Sequence, residues 1–222
     1  MMIQAVLGNP NHPEYGVATI PFPIPHDQYA HCMELLGALE VGDAVKADCR
    51  VEKIDSFYTV LKRTEMRTVN VEELNYLAKR LDSFDTGEAA QFQAMAHKLE
   101  LFELKDLINL TFCCQQATVI TDFSNLDAVG RDHYINLHGG SASVDELNKL
   151  DGEETARQLI ESGSGTITPY GVVYDNGMKL EQIYDGRFFP CYYYEPNAIT
   201  IAVTSKAEPE DTEHITWLFL PM

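Results

Sequence analysis

Apolar residues recur at helical spacing between positions 71 and 84 of the chain. Asn70 stands before this run and Glu73 lies three residues later, in the pattern of a capping box. Tyr76 falls outside the apolar stripe. The pattern therefore predicts an amphipathic helix that starts near Val71 and packs its stripe on a core. The stripe consists of Val71, Leu74, Leu77, Ala78, Leu81 and Phe84.

The first third of the chain mixes strand and helix patterns. Prolines 21, 23 and 25 place the segment PFPIP at a sheet edge or a strand exit, because proline cannot donate to the ladder of a central strand. These features predict a small N-terminal α+β unit over residues 1–67. Its predicted segments are strands at 3–8 and 17–24, a helix at 26–36 and an extended stretch at 44–55.

Residues 68–140 show mainly helical patterns and are predicted to form a second, central unit. Ser124, followed three residues later by Asp127, supplies a start signal for its last helix. The segment ATVIT at 117–121 favours a strand. The predicted helices cover residues 71–84, 88–100, 104–113 and 125–137.

Residues 141–222 predict a third, α+β unit with a strand-rich tail, so the whole chain is assigned to the α+β class. Gly163 is a natural end for the second helix of this unit. Asp175-Asn176-Gly177 predicts a hairpin turn, because Asn-Gly tolerates the positive backbone angles of tight hairpins. The predicted elements are helices at 143–150 and 153–161 and strands at 171–174, 179–184, 198–205 and 214–220.

The charge of the chain narrows the classes of partner. Its 222 residues include 34 Asp and Glu against 16 Lys and Arg, a formal charge of −18. This charge repels phosphate backbones and anionic lipids, so the sequence predicts no direct binding to nucleic acid or to a membrane surface. It favours a basic protein partner. The plainer interpretation is that the acidic residues only keep the protein soluble.

Cysteine usage and the absence of apolar runs favour a cytoplasmic protein. The five cysteines include no Cys-x-x-Cys pair and are too sparse for a disulfide scaffold. The amino terminus has no basic region followed by a long apolar segment, and no window approaches the roughly 18 apolar residues of a membrane span.

The histidines and cysteines form no recognised metal or catalytic motif. Two histidine pairs are each five residues apart, which on a helix places the side chains on different faces, and Asp132 and His133 are adjacent and point in different directions. The remaining enzyme hypothesis is a hydrolase with Cys191 or Cys113 as nucleophile and a histidine as base. The sequence predicts no catalytic residue, no metal site and no cofactor. The pairs are His26/His31 and His133/His138.

The run Tyr192-Tyr193-Tyr194 favours a packed strand. Platforms that stack single-stranded bases pair their aromatic residues with a basic groove. The chain from Ser141 onward has 14 acidic residues against 5 basic ones, so it offers no such groove.

Three short motifs resemble the ArdA antirestriction family of mobile genetic elements. A strand ending in Phe22-Pro23-Ile24 is followed by a helix, an extended segment and then Glu73-Leu74-Asn75-x-Leu77, in an order and spacing similar to that family. Gly130-Arg131-Asp132 is similar to the Gly-Arg-Asp core of the family's antirestriction motif. The resemblance covers about residues 17–137.

The resemblance implies a non-enzymatic DNA mimic. ArdA proteins are elongated, acidic homodimers that occupy the DNA-binding groove of type I restriction-modification enzymes, so an elongated homodimer is expected here too. An acidic protein-binding module with a different basic partner remains the alternative. The carboxylates that we expect to meet the partner are Asp122, Asp127, Asp132, Asp145, Glu146, Asp151, Glu153, Glu154 and Glu161.

Overall fold

The computed structural model describes residues 3–190, 197–203 and 216–221, and it shows an α+β protein. The chain divides into two units, Met1–Phe189 and Pro190–Met222. The boundaries predicted after residues 67 and 140 lie inside the first unit, and that three-part division stays a prediction.

The first unit begins with a four-stranded antiparallel sheet in the order β2-β1-β3-β4. Pro21 lies in β2, which is an edge strand, as its missing N–H requires. The sheet buries alternate residues of β1, and α1 follows the edge strand. The elements are β1 (Ile3–Gly8), β2 (Val17–Phe22), α1 (Tyr29–Ala38), β3 (Cys49–Asp55) and β4 (Thr68–Val69).

Strand β3 begins five residues later than the extended stretch predicted from residue 44. The Asp48 carboxylate accepts hydrogen bonds from the backbone N–H groups of Gly42 and Asp43, both at 3.0 Å. Asp43 in turn accepts from the N–H groups of Val45 and Lys46. These side-chain bonds hold a loop where alternation alone suggested a strand.

Three central helices pack against one another and the sheet: α2 (Val71–Asp82), α3 (Thr86–Lys98) and α4 (Leu104–Leu110). Every residue of the predicted α2 stripe is buried, which confirms that prediction. Asn70 caps α2 by accepting the Glu73 N–H at 2.9 Å. Tyr76, expected off the stripe, is also buried, because Phe189 stacks on its ring at 4.7 Å.

Glu73 does not complete the predicted capping box. Its carboxylate instead accepts a hydrogen bond from the Tyr184 hydroxyl at 3.0 Å. A tertiary contact from a distant part of the chain has therefore replaced the local one. Burial raises the pKa of Glu73, while the Tyr184 bond acts in the opposite direction.

Residues 118–174 form a second, three-stranded antiparallel sheet in the order β5-β7-β6, together with three further helices. Asn125, and not Ser124, caps α5 by accepting the Ala128 N–H at 3.1 Å. Ser124 donates its hydroxyl and its N–H to Asp122 instead. The elements are β5 (Thr118–Ile120), α5 (Leu126–Leu137), α6 (Val144–Lys149), α7 (Gly152–Glu161), β6 (Thr166–Thr168) and β7 (Gly171–Tyr174).

The turn at Asp175-Asn176-Gly177 has the predicted backbone conformation but does not join two strands. Asn176 and Gly177 both have positive φ, 54° and 76°. Residues 179–184 nevertheless form no strand. Strand β7 is the central strand of its sheet, so β5 and β6 already occupy both of its edges.

The described part of the second unit contains one antiparallel pair, β8 (Asn197–Val203) and β9 (Thr216–Pro221). Their residue ranges nearly coincide with the strands predicted at 198–205 and 214–220. Cys191 and Tyr192-Tyr193-Tyr194 lie outside the described residues. Among the helices that the structure describes, none has the length and apolar character needed to cross a membrane.

We expect Leu77→Ala and Leu81→Ala each to lower the free energy of unfolding by about 2–5 kcal/mol, because both side chains are fully buried in the α2 stripe. Leu35→Ala is the matched control, since the same atoms are removed from an exposed position on α1, and it should cost under about 1 kcal/mol. Chemical denaturation followed by circular dichroism measures all three. Equal losses at the three positions would contradict the buried stripe.

Candidate functional site

The segment 122–161, called the acidic segment below, carries the nine carboxylates expected from the sequence. It contains only three Lys and Arg residues. All nine carboxylate residues are exposed. They are Asp122 before α5, Asp127 and Asp132 on α5, Asp145 and Glu146 on α6, Asp151 at the start of α7, and Glu153, Glu154 and Glu161 on α7.

Two glycines let α5 and the first turn of α7 pack with their backbones in contact. A methyl group at Gly130 would overlap the carbonyl of Gly152 and lie 2.7 Å from its carbon atom. A methyl group at Gly152 would overlap the backbone of Asp127. Only glycine fits at either position, so this contact fixes where the carboxylates of the two helices stand.

Arg131, on α5, connects that helix to α6. Its Nε donates to the Asp127 carboxylate at 2.7 Å, and its Nη1 donates to the Leu147 carbonyl at the same distance. The Arg131 hydrogen bond, aided by the Gly152 N–H, holds the pKa of Asp127 below its ordinary value. The Gly-Arg-Asp motif thus has a structural role in its first two residues.

Several of the nine carboxylates also stabilise helix ends. Ser143 and Glu146 form a complete capping box on α6, and Asp151 caps α7 by accepting the Glu154 N–H at 3.0 Å. Glu153 forms an ion pair with Arg157 one turn later. Carboxylates at helix N-termini are favourable in any soluble protein, so these contacts need no partner to explain them.

Three carboxylates of the acidic segment have no such role. Within the part of the chain that the structure describes, Asp132, Asp145 and Glu161 make no hydrogen bond or ion pair. Their charge is therefore not offset by a bonded neighbour among the described residues.

A cavity of about 220 Å³ lies between β5 and α5. Asp132 contributes to its lining, and the loss of solvent there raises the pKa of this carboxyl. Asp122 also lines the cavity, and its hydrogen bonds from Ser124 hold its pKa below the ordinary value. Sequence reasoning missed this cavity because it depends on how β5 and α5 meet. The lining consists of Thr118, Val119, Ile120, Thr121, Asp122, Asn125, Ala128, Val129 and Asp132.

The other motif residues meet at the junction of the first sheet and α2. The Asn75 amide oxygen accepts the Ile24 N–H at 2.8 Å, which joins the Phe22-Pro23-Ile24 motif directly to Glu73-Leu74-Asn75-x-Leu77. Phe22, Ile24, Leu74 and Leu77 are buried, and Pro23 is partly buried. These residues hold the fold together and do not belong to the acidic segment.

A second buried asparagine holds the segment that follows the 175–177 turn. Asn109 accepts the Tyr184 N–H at 2.7 Å and donates to the Tyr184 carbonyl at 2.9 Å. The Tyr184 ring stacks on Phe189 at 5.0 Å. The two residues lie 75 positions apart, so no local pattern in the sequence indicated this contact.

The described cysteines are buried thiols. Cys113 donates to the carbonyls of Asn109 and Leu110, and burial raises the pKa of both Cys113 and Cys114. This environment favours the protonated thiol over the nucleophilic thiolate. The hydrolase hypothesis also needs a histidine as base, but the His133 ring is hydrogen-bonded to the Thr118 hydroxyl, with 2.9 Å between Nδ1 and Oγ1. Among the described residues no group of three or more His, Cys, Asp or Glu side chains is arranged to hold a metal ion.

No protein-family model matches this sequence, and no curated protein matches it significantly. The likeness to the ArdA family therefore rests on the quoted motifs alone.

Gly130→Ala should destabilise the packing of α5 on α7 by about 3 kcal/mol, because the added methyl group overlaps the Gly152 carbonyl. Gly37→Ala is the control: this glycine lies in α1 with open space around it, so alanine should be neutral or stabilising by up to about 1 kcal/mol. Thermal melts and hydrogen exchange of the α5 and α7 amides measure the difference. Unchanged exchange in Gly130→Ala would contradict the contact.

Proposed function

We propose that this protein is an antirestriction protein that mimics DNA and occupies the DNA-binding groove of a type I restriction-modification enzyme. It acts in the cytoplasm as an elongated homodimer, without catalysis or cofactor and without binding DNA itself, and it serves a mobile genetic element. The ArdA-like motifs suggest that the target is a type I restriction-modification enzyme. The negative charge of the chain supplies the physical basis for binding in a DNA groove.

The observation that best supports this proposal is that all nine carboxylate residues of the acidic segment are exposed. The segment has only three cationic side chains, and two of them, Arg131 and Arg157, are paired within it. The Gly130–Gly152 contact and Arg131 hold the helices in place. A prearranged charge pattern loses less entropy on binding than a flexible one, so rigidity favours affinity.

The total charge has the scale that a DNA mimic needs. Duplex DNA carries one charge per roughly 1.7 Å of its axis. Two copies of the −18 chain carry −36, which corresponds on that spacing to about 60 Å of duplex. Such a charge attracts the Lys and Arg side chains of a DNA groove and displaces its counterions.

An acidic module for a different basic protein is the second candidate. The exposed carboxylates of the acidic segment are compatible with it, because their charge attracts any basic protein surface and not only a DNA groove. The two candidates differ in their partner. Purified type I enzyme titrated with the protein over a salt series separates them, since the absence of inhibition even at low salt would eliminate the first.

The charge-mimic mechanism predicts graded loss of inhibition. A single change such as Asp145→Asn should weaken inhibition less than about twofold, because one exposed charge contributes little to a summed field. Changing Asp145, Glu146, Asp151, Glu153 and Glu154 together to their amides should weaken it progressively. Asn at 151 and Gln at 146 keep the helix caps, so the fold is preserved.

The matched control removes five exposed charges outside the acidic segment, giving the same net charge. Circular dichroism melts confirm folding, and inhibition of DNA cleavage is the readout. Equal effects of the two sets would show that the acidic segment has no special role, and complete loss from one amide substitution would refute collective mimicry. The control set is Asp27, Glu34, Asp55, Glu100 and Glu181.

A further inference from the structure

The cavity between β5 and α5 has the size of a site for one side chain. Its volume is about 220 Å³. Sites for drug-sized ligands occupy roughly 300–1,000 Å³, so this cavity is smaller than such sites. Its volume matches a single long side chain or a small molecule of similar size.

The charges around the cavity select a cation. Asp122 and Asp132 both line it. Two backbone N–H groups near the start of α5, which could otherwise attract an anion, are already bonded: Asn125 accepts the Ala128 N–H, and Asp122 accepts the Ser124 N–H. An anion would therefore meet two carboxylates and few free donors.

The lining favours a guanidinium group over an ammonium group. Val119, Ala128 and Val129 supply apolar walls between the polar groups of the site. A guanidinium is planar, weakly hydrated and carries five donors in a rigid fork, whereas an ammonium is compact and strongly hydrated. Thr118 is held in place by His133 at 2.9 Å and Asn176 at 3.0 Å, which keeps one side of the cavity rigid.

A cation bound in the cavity would give the Asp132 carboxylate a partner without displacing an existing one. No described residue donates a hydrogen bond to its carboxylate, yet the cavity has already removed part of its solvent. A cation placed there offsets a cost that folding has already imposed.

We propose that this cavity binds the guanidinium group of one arginine side chain of the basic partner, with Asp132 as its main acceptor and Asp122 as a second charge. The identity of the partner rests on the function proposed above. The site adds a discrete contact to the collective field of the acidic segment.

The first experiment uses the whole chain without any restriction enzyme. N-acetyl-argininamide is titrated into the ¹⁵N-labelled protein and the amide signals are followed by NMR. We expect saturable shifts, with a roughly millimolar Kd, confined to amides of residues 118–132. N-acetyl-citrullinamide, a neutral molecule of nearly the same shape, should give no such shifts. Shifts spread evenly over all acidic regions, or no shifts, would overturn the proposal.

Two variants test the cavity itself. Ala128→Leu fills it without changing the charge, and leucine is well tolerated in a helix. Asp132→Asn removes the main acceptor. Each should raise the Kd for N-acetyl-argininamide by about tenfold or more. Asp145→Asn removes the same charge from an exposed position outside the cavity and should change it by less than about twofold. Equal effects of Asp132→Asn and Asp145→Asn would refute a discrete site.

A parallel binding assay with purified type I enzyme separates the two proposals. If Ala128→Leu weakens enzyme binding about tenfold, the cavity receives a partner arginine. If the wild-type protein inhibits and Ala128→Leu inhibits equally, the arginine site fails while the DNA-mimic function stands. If the wild-type protein does not inhibit at all, the proposed function fails, whatever the N-acetyl-argininamide titration shows.

Discussion

The burial of α2 on almost every side is the constraint on which the rest of the first unit depends. Buried polar groups are costly unless they are hydrogen-bonded, so each polar side chain of this helix must find a fixed partner. Asn75 bonds the strand exit at Ile24, and Glu73 bonds Tyr184. Asn70 caps the helix and also donates to the carbonyls of Asp43 and Lys46. One helix thereby positions the sheet, a loop and a distant segment.

Local patterns predicted the elements well where neighbouring residues supply the stripe or the cap. The spacing of apolar residues located α2, and Asn70 caps this helix through a residue three positions away. Predictions failed where distant residues competed for the same groups. Tyr184 takes the Glu73 carboxylate that was expected to complete the capping box of α2, and β5 takes the edge of β7 that a hairpin partner needed. Such competition depends on tertiary contacts that spacing does not encode.

Some features of the candidate site followed from local sequence, and others depended on contacts between distant parts of the chain. Exposure of its nine carboxylates followed from their polar character, as expected for charged residues on short helices. The contact of Gly130 with Gly152 and the cavity beside Asp132 did not follow, because each needs two elements far apart in sequence to meet. Gly130 gave a local signal, since glycine in the interior of a helix is otherwise unfavourable.

An acidic segment must hold its like charges together before a partner arrives. Here helix N-termini, Arg131 and Arg157 offset the repulsion for part of the set, including Asp127, Asp151 and Glu153. These carboxylates add to the long-range field but would have to share or exchange a partner to form a new bond. Those without partners, such as Asp132, give up only water. The free energy of a close contact with a cation is therefore greatest at the few carboxylates that the fold leaves unpaired, while the paired majority supplies attraction at a distance.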